Sequence, residues 1–228
     1  MSADNQQNRG LSPIEIAVTA LVAAAMATAT WRGWWSIGWM EVLGFVTGGA
    51  CVWLASREHL WTWPIGLANN VVFFVLFWQA RLFADSALQI VYFALGVYGW
   101  THWLRGGTER TELTVSRTTR GEWLALAVLT PCATWGMREV LIAAQGASPF
   151  WDALTTALSL AAQFLMCRKR LENWLIWIVA DIIYIPLYLG RGLPATAFLY
   201  TVFAVICIVG WRRWRTQWRS ESSPEPCS

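Results

Sequence analysis

The sequence predicts an all-α integral membrane protein, a seven-helix bundle in a 3+1+3 arrangement with two parallel three-helix repeats. Three observations carry that prediction: an apolar composition, seven apolar runs of spanning length, and a self-match at an offset of 111 residues.

Residues of the AVILMFWYC set fill 56% of 228 positions and only 14% are charged. A single soluble core of this size needs a more polar surface than that, so the bilayer is the natural solvent. Eighteen tryptophans point the same way, since an indole at the end of an apolar run keeps its N–H in the wet interface. The formal charge of +3 is small and the basic residues are dispersed, which argues against a stripe that tracks nucleic-acid phosphates. Cys51, Cys132, Cys167, Cys207 and Cys227 lie far apart without a CxxC, and His59 and His102 lack partners at i+3 or i+4. Neither a disulfide framework nor a metal site follows, and no cofactor is expected.

The elements follow in chain order. Residues 1–38 form a polar lead and the Ala-rich run Ile14 to Thr30, which is long enough to cross as an extra N-terminal helix or to lie along the interface. With only Arg9 ahead of it, a cleaved signal peptide is not expected. The first repeat, 39–104, holds spans at 39–56, 60–79 and 84–104. A loop and a linking helix at 122–143 occupy 105–149. The second repeat, 150–214, holds spans at 150–167, 173–190 and 193–211, and 215–228 is a polar tail. Each span approaches the length of about 20 residues that crosses a bilayer.

Orientation follows from the basic residues, which are retained on the cytoplasmic side. With the C-terminus inside, the inner segments carry Arg57, then Arg105, Arg110, Arg117 and Arg120, then Arg168, Lys169 and Arg170, then Arg212, Arg213, Arg215 and Arg219. The opposite loops carry Arg81, Arg138 and Arg191. The expected topology is multi-pass with a cytoplasmic C-terminus.

Sliding the chain by 111 residues aligns 41–103 with 152–214 without a gap. Arg57 falls on Arg168, Leu60 on Leu171, Trp63 on Trp174, Leu82 on Leu193, Asn70 on Asp181, and Gly99, Trp100 and Trp103 on Gly210, Trp211 and Trp214. Apolar bias alone does not place GWxxW at the end of both third helices. Two odd-numbered repeats share one orientation only if an extra span reverses the chain between them, which is the role of the linking helix. This is the arrangement of the sugar transporters of the SWEET type, whose substrate sits at the repeat interface near mid-membrane.

A charge inside a membrane helix is costly and needs a partner or a wet cavity. Trp174, Trp177 and Asp181 recur at i, i+3 and i+7 and so share a helix face, with Asn173 preceding them in the chain. Two indoles and a carboxylate suit a flat cationic ring, although the same residues could serve as packing glue between helices. In the first repeat Trp63, Gly66 and Asn70 share the corresponding face, with Asn69 beside it. Gln89 and Tyr92, neighbours at i+3, offer hydrogen bonds to hydroxyls or an amide, and Tyr98 does so less directly. Glu41 and Asp152 read as carboxylates near helix N-termini. Trp100, Trp103, Trp211 and Trp214, beside arginines, read as interface anchors or as a duplicated gate. Pro131 and Pro186 loosen their helices.

The run Phe150-Trp151-Asp152, then Cys167-Arg168-Lys169-Arg170-Leu171-Glu172-Asn173-Trp174-Leu175-Ile176-Trp177, resembles the PnuC family of nicotinamide riboside transporters. Trp39-Met40-Glu41, Gly66 to Asn69 and Tyr98-Gly99-Trp100-Thr101-His102-Trp103 extend the resemblance over about 39–214. It implies facilitated diffusion of nicotinamide riboside, trapped inside by phosphorylation, through a homo-oligomer expected to be a trimer. It also implies substrate contacts at Asn69, Gln89, Asn173, Trp174 and Trp177. Asp181 stands where the family pattern includes Asn, so thiamine, riboflavin or a deoxynucleoside remains open as the cargo. A membrane enzyme is disfavoured by the absence of an acid/base or metal constellation, and a non-transporting scaffold would use the Trp and Asp positions only for packing. No P-loop is present, so no ATPase is expected.

Overall fold

A computed structural model describes residues 39–79, 81, 83–107 and 111–222. Residues 1–38, with the expected N-terminal helix, lie outside the described residues. Seven helices are described: α1 (Trp39–Ser56), α2 (Thr62–Gln79), α3 (Phe83–Arg105), α4 (Arg120–Ala143), α5 (Pro149–Cys167), α6 (Asn173–Gly190) and α7 (Pro194–Ser222). The sequence spans fall within a few residues of these bounds except at α7, which continues for a further three turns. At 29 residues and about 1.5 Å per residue it exceeds a hydrocarbon core of about 30 Å, so its Arg- and Trp-rich end stands clear of the apolar layer.

The boundaries have local causes. Thr119 caps α4 in a reciprocal capping box with Glu122, satisfying amide donors that the first turn leaves unpaired. Proline opens α5 and α7, where its missing N–H costs nothing. Four helices, α4 to α7, are each long and apolar enough to cross a membrane on their own; the Asn, Gln, Trp and His residues of α2 and α3 lower the hydropathy of those helices.

Six helices form a closed ring. Each helix packs on the next in the order α1, α2, α3, α5, α6, α7, and α7 returns to α1. The 111-residue offset carries α1 to α5, α2 to α6 and α3 to α7, and it carries the α3·α5 contact onto α7·α1. The ring therefore has a pseudo-twofold axis, with α4 outside it, packed on α5.

Backbone detail supports the duplication more firmly than side-chain identity does. Glu58 and Lys169 both hold positive φ, as do Arg81 and Gly192, and both pairs are separated by the offset. Within the turns, Arg57 N bonds Leu54 O, Glu58 N bonds Ala55 O and His59 N bonds Leu54 O. The second repeat places Arg168 N on Leu165 O, Lys169 N on Met166 O and Arg170 N on Leu165 O. The same hydrogen bonds recur although only one residue of each triplet, the arginine, is shared.

The buried core sits at the arginine-rich end. Trp63 meets Trp103 edge to face at 5.1 Å between ring centroids, and Trp174 meets Trp214 edge to face at 5.3 Å. Trp103 and Trp214, themselves repeat-related, approach to 6.0 Å and are 1% and 0% exposed. They are core residues and not the interface anchors that their place beside arginines suggested; the ring closure turns them onto the axis. Gly99 and Gly210 explain why the motif includes glycine. A methyl group at either position would overlap the indole of Trp63 or Trp174.

The linker between α3 and α4 crosses this end as a strap. Ser116 N donates to Lys169 O at 3.0 Å and Leu171 N to Ser116 O at 2.9 Å, while Val115 is buried in the core. Glu172 accepts from Thr118 N and Oγ1, each at 2.7 Å, and from Arg117. Arg170 and Arg168 both reach Glu122.

Candidate functional site

The ring surrounds a partly open cavity of about 390 Å³, within the range of small-molecule sites. Every ring helix contributes: Gly48 and Cys51 from α1, Trp63, Gly66, Asn69 and Asn70 from α2, and Tyr92 and Gly96 from α3. From the second repeat come Ser159 and Gln163 on α5, Trp177, Asp181 and Tyr184 on α6, and Tyr200, Phe203 and Cys207 on α7. Nothing from α4 lines it.

Among the residues that the sequence singled out, Asn69, Asn70, Tyr92, Trp177 and Asp181 line this cavity. Gln89, Asn173 and Trp174 do not. Asn173 lies at the start of α6, where its Nδ2 donates to Arg170 O at 2.6 Å, and Trp174 is wholly buried in the tryptophan floor. One helical turn divides the functions of that face: Trp174 points into the core while Trp177 and Asp181 reach the cavity.

The cavity's electrostatics centre on Asp181. The residue is 3% exposed, and its carboxylate accepts a hydrogen bond from the Cys207 thiol at 3.7 Å. Among the described residues no cationic group pairs with it. The Trp177 and Trp63 Nε1 groups are buried without an acceptor, so these two residues offer the cavity ring surface and not N–H donors. Asn69 donates to Thr47, which fixes its amide against α1, and Thr62 Oγ1 donates to Cys51 O at 2.9 Å.

Beyond Asp181, away from the arginine-rich end, Tyr184 and Tyr200 of the cavity wall join Tyr188 behind them in a stack of phenols. Tyr184 and Tyr200 lie 4.4 Å apart at 27°, and Tyr188 and Tyr200 5.2 Å apart at 8°. At the far end Arg191 clasps Asp152 at 2.6 and 2.7 Å, so Asp152 ties α5 to the end of α6. Gln163, Tyr184 and Tyr200 were not among the sequence candidates. Gln163 had a legible signal, a polar side chain inside an apolar run; the tyrosines had none, because a membrane tyrosine is ordinarily interfacial.

A partly open, mostly apolar chamber with one carboxyl, amides and aromatic walls can hold a planar, partly polar solute. Among the described residues no group of three or more His, Cys, Asp or Glu side chains is placed to hold a metal.

The model of the nicotinamide mononucleotide transporter family matches residues 38–216. The chain belongs to that family. As a member of the nicotinamide mononucleotide transporter family it is similar to the nicotinamide riboside transporter PnuC of Escherichia coli strain K12, at 29% identity over 84% of this chain and 91% of the relative. It is also similar to the PnuC of Haemophilus influenzae, at 26% over 90% and 91%. A third relative is the riboflavin/roseoflavin transporter RibM of Streptomyces davaonensis, at 26% over 82% and 89%. A crystal structure of the vitamin B3 transporter PnuC superposes with a TM-score of 0.72 at 22% identity, covering 96% of this chain and 97% of that one. That likeness establishes the fold. Family and spans together make this a multi-pass bacterial membrane protein.

Proposed function

We propose that the protein carries nicotinamide riboside across the bacterial inner membrane by facilitated diffusion, with intracellular phosphorylation keeping the gradient inward. The observation that carries this reading is the pairing of Trp177 and Asp181 in one cavity. A pyridinium ring is flat and cationic; an indole face attracts it and a desolvated carboxylate balances its charge. The ribose hydroxyls would find Asn70, Tyr92 and Gln163. The relatives named for nicotinamide riboside transport support the same cargo.

Riboflavin is the second reading, favoured by the similarity to RibM. The two cargoes separate on charge, because the flavin ring is neutral. Calorimetric titration of purified wild type and Asp181→Asn with both compounds tests the proposal. Wild type should bind nicotinamide riboside, and the variant should bind it about ten-fold or more weakly, the loss expected for one desolvated charge contact of roughly 1.4 kcal/mol or more. A wild type that binds riboflavin in preference, with Asp181→Asn neutral or favourable, would transfer the assignment to the flavin.

The basic-residue bias supports placing the arginine-rich end and the C-terminus in the cytoplasm. A homotrimer is the assembly we propose, checked by light scattering of the detergent-solubilised protein.

A further inference from the structure

The two short turns at the arginine-rich end, residues 57–61 and 168–172, are equivalent by the 111-residue offset, and they touch. Lys169 Nζ donates to Glu58 Oε2 at 2.8 Å. Two positions related by a pseudo-twofold can meet only where its axis passes. Glu58 and Lys169 therefore stand on the axis, as Trp103 and Trp214 do, and Lys169 lies 4.7 Å above the Trp103 ring.

Either of these charged residues repeated at both positions would place two like charges together, so this ion pair exists only because the repeats differ here. Both residues also hold left-handed backbone, φ 56° and 47°, without being glycine. That conformation closes α1 and α5 in the same way, the next N–H returning to a carbonyl of the last turn, and it sets the two side chains at equivalent places.

The pair is shielded, with side-chain exposures of 14% for Glu58 and 8% for Lys169. Its Coulomb attraction is largely offset by the desolvation of both charges. When water enters, both charges recover hydration as they separate, so an ion pair here opens with less net loss than an apolar seal. The cavity lies directly behind it, since Ala55, Thr62, Trp63 and Met166 line the near wall.

The strap and α4 grip the α5–α6 turn through Ser116, Arg117, Thr118 and Glu122. The α1–α2 turn reaches that network through the Glu58 carboxylate.

We propose that Glu58 and Lys169 form the latch of the gate at the arginine-rich end, and that the α1–α2 turn swings away when it opens. The latch rests on the carrier reading above but not on which vitamin is carried. Opening would take the first turn of α2 with it, including Trp63, and expose the cavity to that side while the strapped turn stays in place.

The test is a Glu58→Cys/Lys169→Cys variant with Cys132 and Cys227 changed to Ser, reconstituted in vesicles and bridged by a short reducible bis-thiol reagent. Bridging should leave nicotinamide riboside binding in place while flux falls by about ten-fold or more, and reduction should restore it. Bridged protein that transports at the unbridged rate overturns the latch. So does bridging that destroys binding together with flux, which would make the pair a structural tie. A charge exchange provides a second arm: Glu58→Lys alone should cut flux, and Glu58→Lys/Lys169→Glu should recover to within about two-fold of wild type. A double variant no better than the single one also overturns it. Unbridged wild-type flux tests the carrier reading, whereas the ratio of bridged to unbridged flux tests the latch.

Discussion

The two repeats agree where they build the floor and differ where they build the walls. At the arginine-rich end Trp63 and Trp103 repeat as Trp174 and Trp214, with the same edge-to-face geometry and the same glycine making room. In the cavity the correspondence breaks: Gly66 stands opposite Trp177 in the alignment, Asn70 opposite Asp181, Val52 opposite Gln163, and Gly96 opposite Cys207. The duplicated tryptophans and glycines are those whose failure would unpack the bundle, and these four diverged pairs face the cavity. A symmetric pair of walls would present either two carboxyls or none to a single asymmetric solute, so divergence is what makes the site fit one orientation of one guest.

The sharpest break in that comparison comes from exchanging wall residues. Trp177→Ala removes the aromatic face beside Asp181 and should weaken binding of the transported vitamin by roughly 10- to 100-fold, or about 1.4–2.7 kcal/mol by calorimetry. Its counterpart Gly66→Ala should change affinity by less than about two-fold, because a methyl there meets only Cys51 Sγ at an ordinary 3.8 Å. Equal losses at both positions would mean that the walls act symmetrically after all.

At the floor the repeats should respond alike. Gly99→Ala and Gly210→Ala each drive a methyl into an indole, and overpacking of a closed core costs about 1–3 kcal/mol. Thermal unfolding in detergent should show both destabilised, with Gly99→Ala the worse because its overlap with Trp63 is deeper. Wild-type stability in either variant would show that the tryptophan floor yields more freely than its packing implies.

These two sets of residues were not equally legible in the sequence. The spans followed from runs of apolar residues, and the duplication followed from GWxxW, because a repeated pair of large side chains with a glycine at fixed spacing is improbable by composition. What Trp103 and Trp214 do was not legible. An indole beside arginines suits the headgroup layer as well as it suits a core, and only closure of the ring decides. Asp181 was visible as a carboxylate inside a span, whereas Tyr184 and Tyr200 were concealed by the ordinary frequency of tyrosine at membrane borders. Trp174 and Trp177 share a helix face in the sequence, yet a three-residue step of about 300° is enough to put one in the floor and the other in the wall.

The strap belongs to one repeat only and gives a pH test of that asymmetry. Burial works against the charge on Glu172, but hydrogen bonds from Thr118 and Arg117 outweigh it and hold the carboxyl below its usual range. A carboxyl depressed in the folded state contributes stability that is present above its unfolded value and is lost as pH falls through the folded one. Acid titration of thermal stability should therefore show a loss below the ordinary glutamate range that Glu172→Gln lacks. At neutral pH that variant should be less stable by about 2 kcal/mol, the scale of hydrogen bonds to a charged acceptor. Coincident acid limbs for the two proteins would assign the transition to other carboxyls.

The smallest effect is expected outside the ring. Thr119 Oγ1 accepts from Glu122 N at 3.2 Å and Glu122 Oε2 accepts from Thr119 N at 2.8 Å, so Thr119→Ala removes one half of a capping box worth about 1 kcal/mol. Glu122 also holds Arg168 and Arg170, and those contacts do not pass through Thr119. Because α4 packs on α5 and lines no part of the cavity, binding should be unchanged while the unfolding midpoint drops slightly. A loss of affinity in Thr119→Ala would mean that α4, whose task in the topology is to turn the second repeat to face the same way as the first, also sets the shape of the cavity through α5.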